Sequence, residues 1–65
     1  MSTKIEDIHN SFVNGQRKQA VKQIDEYGVS DFVDDYAEFL GAIYSPLACF
    51  EYLKQATSSY FKINQ

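Results

Sequence analysis

An all-α fold, a small bundle of three to four short antiparallel helices, is what this chain predicts. Apolar residues recur at helical spacing in every stretch between breaks. The breaks themselves, Asn14-Gly15, Gly28 and Ser45-Pro46, are of the kind that stop and start helices. No stretch alternates between apolar and polar residues as a half-buried strand would. The chain has 65 residues, which gives room for one domain, residues 1–65. A domain of that size buries only about 60% of the surface its unfolded chain exposes, so tight helix packing or a partner chain must complete its stability.

The first helix opens on Thr3-Lys4-Ile5-Glu6, a capping box in which the threonine hydroxyl and the glutamate each satisfy a backbone N–H. Ile5, Ile8, Phe12 and Val13 then form its apolar face, and Asn14-Gly15 ends it. Asn14 is also the expected cap of the second helix, whose inner face is Ala20, Val21, Ile24 and Tyr27, with Gly28 as its terminator. A single helix over residues 4–27, dented at Gly15, is the alternative, because glycine inside a helix costs only about 1 kcal/mol.

Ser30 reads as the N-cap of the third helix and Asp31 suits its first turn, where the helix dipole favours negative charge. Phe32, Val33, Tyr36, Ala37, Leu40, Ile43 and Tyr44 form its apolar stripe, and Asp31, Asp34, Asp35 and Glu38 the opposite one. Ser45-Pro46 starts the fourth helix, since proline has no N–H to lose at the first helical position. Leu47, Cys49, Phe50, Leu53, Ala56, Tyr60 and Phe61 cover an unusually wide arc of it. Whether it runs through Thr57-Ser58-Ser59 is left open by the sequence.

The composition narrows function mainly by exclusion. Apolar residues are 45% of the chain, aromatics 15%, and the net charge is −3, which is too apolar for a disordered tail. No run approaches the roughly 18 apolar residues of a membrane span. The start, Met1 to Asp7, carries two acids and no apolar secretory segment, and the lone Cys49 excludes an internal disulfide. The expectation is a reduced, cytoplasmic protein that meets no membrane. His9 and Cys49 are the only residues of their kinds. His9 is expected at the edge of the core or in solvent, Cys49 in the apolar arc of the last helix, and a pairing of the two has no local support. No catalytic residue, metal site or cofactor-binding site is expected, and the chain is read as a non-enzyme.

Charge and aromatic content supply the candidate surfaces. From Asp25 to Glu38 there are six acids and no base. Like charges at i, i+4, as in Asp31 with Asp35 and Asp34 with Glu38, disfavour the helix by a few tenths of a kcal/mol each. Such a run either keeps a small apolar protein soluble or meets a basic partner. The partner-binding residues expected on the second alternative are Asp31, Asp34, Asp35 and Glu38, flanked by Tyr27 and Tyr36. Nucleic acid is the less favoured partner: Arg17, Lys18 and Lys22 are its expected contact, but three bases make a small footprint for phosphates. Tyr36, Tyr44, Tyr52, Tyr60 and Phe61 exceed what one small core can bury. A homodimer through the last helix is accordingly a further option.

The segment Phe12-Val13-Asn14-Gly15-Gln16-Arg17-Lys18-Gln19-Ala20, with Ile24, Tyr27-Gly28, Phe32, Tyr36 and Tyr60-Phe61, resembles short accessory proteins encoded by bacteriophages and related mobile elements. The likeness covers residues 8 to 63, with Asn-Gly-Gln-Arg-Lys-Gln as its distinctive core. It implies a bacterial cytoplasm and a protein that acts by binding a host protein, such as a nuclease or defence enzyme, and inhibiting or redirecting it. It carries no reaction, cofactor or catalytic residue.

Overall fold

The computed structural model describes the backbone of residues 3–63 and the side chains from Lys4 to Ile63. Four helices follow one another, α1 (Thr3–Val13), α2 (Arg17–Tyr27), α3 (Val29–Ile43) and α4 (Pro46–Ile63), with no strand among the described residues. The all-α bundle read from the sequence is the observed architecture. The capping box turns on the Thr3 side chain, which lies outside the described residues.

Backbone geometry at two glycines separates the first three helices. Gly15 adopts φ +79°, and with it the chain closes α1 by a paired motif. The Gln16 N–H donates to the Ser11 carbonyl at 2.8 Å and the Gly15 N–H to the Phe12 carbonyl at 3.0 Å. Asn14 is absorbed into this closure, its own N–H donating to the Asn10 carbonyl. It therefore does not cap α2, whose N-cap is Gln16 without a side-chain hydrogen bond. Two helices thus replace the single dented one.

Gly28 does double service. At φ +103° its N–H ends α2 on the Ile24 carbonyl, and its carbonyl accepts from the Phe32 N–H at 2.8 Å to begin α3. A one-residue junction leaves no room for a separate cap, so Ser30 lies inside the first turn of α3 rather than at its N-cap. Ser45 caps α4 as expected, its hydroxyl accepting from the Ala48 N–H at 3.4 Å. α4 runs unbroken through Thr57, whose hydroxyl donates to the Leu53 carbonyl at 2.9 Å.

The core is small. Ile5 and Ile8 from α1, Ala20, Val21 and Ile24 from α2, Phe32, Tyr36 and Leu40 from α3, and Ala56 from α4 are its fully buried apolar residues. Ala20 and Ala56 carry no bulk, which suits the direct packing of α2 on α4. The radius of gyration, 10.6 Å, is that of a fully packed chain of this length.

Polar clasps tie neighbouring helices together at the rim of this core. The Ser11 hydroxyl donates to Gln23 Oε1 at 2.8 Å, joining α1 to α2. The Tyr27 hydroxyl donates to Asp35, joining α2 to α3. The Tyr60 hydroxyl donates to Asp25 at 3.0 Å, joining α4 to α2.

The glycines separate cleanly in a stability experiment. Gly28→Ala forces a side chain into a left-handed conformation and should destabilise the fold by about 1–3 kcal/mol. Gly41→Ala meets open space in mid-helix and should stabilise it by about 0.5–1 kcal/mol. Thermal melts of the two variants check both signs, a shift of about 4–8 °C corresponding to each kcal/mol in a domain this small.

Candidate functional site

Three groups of side chains can carry function: a buried histidine–tyrosine cluster, the face shared by α3 and α4, and the basic residues around the start of α2. The first is the most fully paired. His9 is buried, not at the edge of the core or in solvent, because both of its ring nitrogens find partners inside. Nδ1 lies 2.8 Å from the Tyr36 hydroxyl and Nε2 3.0 Å from the Tyr44 hydroxyl. The ring packs against Tyr36, Phe39, Tyr44 and Tyr52, edge-on to the last at 5.2 Å between centroids.

The network fixes where its protons sit. Tyr36 is fully buried and His9 is its hydrogen-bond partner, so the Tyr36 O–H donates to Nδ1. Nε2 then carries the ring proton and donates to Tyr44, whose ring packs against Tyr52 with centroids 4.8 Å apart. No buried side-chain nitrogen or oxygen is left unpaired among the described residues. Burial holds the His9 pKa below its usual 6.5, with the Glu6 carboxylate acting in the opposite sense. Burial drives the Tyr36 hydroxyl well above the tyrosine range, with the neighbouring Tyr44 and Tyr52 adding to it. The cluster is thus neutral and closed. Cys49 does not join it: its thiol is directed at the Tyr44 carbonyl, 3.8 Å away. Among the described residues no group of three or more His, Cys, Asp or Glu side chains is placed to hold a metal ion.

The residues expected at a partner surface divide. Asp31, Asp34, Asp35 and Glu38 are all exposed on α3. Tyr36 is wholly buried and offers a partner nothing, because the turn of the helix that lifts the acids into solvent carries position 36 into the core. Tyr27 is half-buried and donates to Asp35, so that acid is also a structural acceptor. Asp25, in the same acidic run, serves Tyr60 in the same way. Asp31, Asp34 and Glu38 form no ion pair among the described residues.

What the acidic reading missed is the apolar surface beside it. α4 is the longest helix, yet only Ala56 on it is fully buried. Leu47, Phe50 and Phe61 are 71%, 61% and 58% exposed. At 100° per residue they share one side of α4, with Lys54 between them, turned away from the inward residues Cys49, Leu53, Ala56 and Tyr60. Val29, Val33, Thr57 and Phe61 meet around one end of the α3–α4 seam. Continuing along α3 at i, i+4 and i+8 from Val33 come Ala37 and Gly41, both exposed. The signal was present in the width of the α4 arc, wider than a single core-facing stripe needs.

The basic residues also divide. Arg17 lines a groove with Glu51, Lys54, Gln55, Ser58, Ser59 and Lys62 of α4. Lys18 and Lys22 lie about 100° and 140° around α2 from Arg17 and do not line it. The expected trio does not form one patch.

The buried imidazole makes stability depend on pH with a defined sign. A depressed folded-state pKa means that the unfolded chain binds a proton first as pH falls through 6.5. Stability should therefore be full above that value and decline below it, toward the lower folded pKa. Melts between about pH 7.5 and 5.5 should show this slope, and His9→Gln should flatten it. Tyr36→Phe leaves Nδ1 without a donor and should cost about 1–3 kcal/mol at neutral pH, read by chemical denaturation.

No helix of the described residues is long and apolar enough to cross a membrane. No family model, no curated protein and no solved structure matches this chain.

Proposed function

We propose that this protein is a non-enzymatic interaction module that binds another protein through the face shared by α3 and α4. The observation that carries the reading is the exposure of Leu47, Phe50 and Phe61 on a helix whose other side already completes the core. Isolated exposed apolar residues are ordinary, but three large ones along one side of one helix form a patch of the kind that marks a docking site. From Leu47 to Phe61 the strip is about 21 Å long at 1.5 Å per residue, the length of about four helical turns. Ala37 and Gly41 keep the α3 side shallow, and nothing lies within 4 Å of where a Gly41 side chain would begin, so internal packing does not require glycine there.

Charge selects the occupant. Asp34 and Glu38 border the strip on α3, with Asp31 further along, and none is neutralised by an ion pair among the described residues. The fitting partner is an amphipathic basic segment, apolar on one side and bearing Lys or Arg on its flanks. The resemblance of the Asn14 to Ala20 region to short phage accessory proteins makes a bacterial host protein the proposed bearer of that segment, with its enzyme inhibited or redirected in the host cytoplasm.

Two variants test the reading. Leu47→Ser with Phe50→Ser removes apolar surface, and Asp34→Asn with Glu38→Gln removes charge. All four sites are exposed, so both proteins should melt with the parent. A protein captured from bacterial lysate and purified should bind the parent. It should bind the serine variant at least roughly tenfold more weakly, as losing central apolar anchors implies. The charge variant should bind more weakly at low salt, with the difference shrinking as salt rises. Equal binding by parent and serine variant overturns the proposal, as does empty capture. A parent dimer that the serine variant dissolves would assign the face to a second copy instead.

A further inference from the structure

We propose that the groove between the first turn of α2 and the second half of α4 binds a small phosphate-bearing molecule through Arg17, Lys54 and Lys62. The chain holds six basic residues in an acidic total, and three of them gather at this one groove from segments 37 and 45 residues apart. Glu51 is the one acid lining it, so the site has a net charge of about +2, a match for a phosphate monoester or diphosphate. Ser58 and Ser59 add hydroxyl donors and Gln55 an amide, the donor set that phosphate oxygens take up. The groove, about 250 Å³, admits a group of that size.

Two further features make the groove unfavourable when empty and favourable when an anion fills it. Glu51 lines the groove, yet Arg17, Lys54 and Lys62 form no ion pair among the described residues. Arg17 also sits at the positive end of the α2 dipole, where a cation is repelled. The first turn of α2 contains no acid, and no side chain caps its free N–H groups. An anion at this position meets both the side-chain charges and the helix end, reversing the sign of each local interaction. Arg17 and Lys62 lie on the α2 side of α4, and the groove meets the α3–α4 face only at Lys54, which also lies between Leu47 and Phe61.

Sodium pyrophosphate is the probe, titrated into the whole chain at constant ionic strength while backbone amides are followed by NMR. Saturable shifts at Arg17, Lys18, Gln19, Ser58 and Ser59 are expected. Lys54→Ala with Lys62→Ala should weaken the dissociation constant at least roughly tenfold, the loss expected when charge-assisted hydrogen bonds are removed, and leave the remaining spectrum unchanged. A nucleoside triphosphate should compete at the same amides. Shifts reproduced by sodium chloride, or unaffected by the double variant, overturn the site. Duplex DNA that binds through Arg17, Lys18 and Lys22 while pyrophosphate does not bind also overturns it, in favour of a nucleic-acid surface.

Discussion

The hydrogen bonds of His9 to Tyr36 and Tyr44 are the constraint around which the bundle is arranged. A ring nitrogen in an apolar core must be paired or it costs more than the surrounding packing returns. Pairing both nitrogens fixes α1 against the middle of α3 and against Tyr44, the residue that ends α3. Tyr52 then packs its ring against those of His9 and Tyr44, which sets the rotation of α4. With α4 so rotated, Cys49, Leu53, Ala56 and Tyr60 turn inward and Leu47, Phe50 and Phe61 turn out. The exposed strip is thus a consequence of how the polar centre is satisfied.

Tyrosine solves a second problem by the same means. An acidic run from Asp25 to Glu38 repels itself along two helices, and neither Asp25 nor Glu26 suits the C-terminal end of α2. Tyr60 and Tyr27 donate to Asp25 and Asp35, turning two of the six acids into interhelical acceptors. The carboxylate at Asp35 in turn raises the Tyr27 pKa, so the donor remains protonated. The side chains of the rest of the run, Glu26, Asp31, Asp34 and Glu38, have no hydrogen-bond or ion-pair partner among the described residues.

Helices and their ends were legible because they rest on local chemistry. Gly15, Gly28 and Ser45-Pro46 act at their own positions, and the spacing of Ile5 and Ile8, or of Phe32, Tyr36 and Leu40, repeats within one helix. The errors have one physical origin, the competition of neighbours over a short junction. Ser30 is a good cap in isolation, but Gly28 starts α3 two residues earlier. Asn14 could cap α2, but the closure of α1 takes it first. The candidate site was less legible, since it depends on contacts distant in sequence. Nothing near His9 in the chain announces Tyr36 or Tyr44, 27 and 35 residues away. Tyr36 belongs to the apolar stripe and to the flank of the acidic one by position alone, and only the fold decides between them. Arg17 parts from Lys18 for the same reason: α4 supplies its true neighbours.

The proposed protein-binding face, the proposed phosphate groove and the polar centre lie on different parts of a very small molecule, the first two adjoining at Lys54, and the packing of the polar centre determines the geometry of the first. The most direct test of that dependence is the protonation state of the His9 ring, read by long-range proton–nitrogen NMR at neutral pH. A neutral ring with its proton on Nε2 is the result that the hydrogen bonds from Tyr36 through His9 to Tyr44 require. An imidazolium, or a proton on Nδ1, would contradict that arrangement.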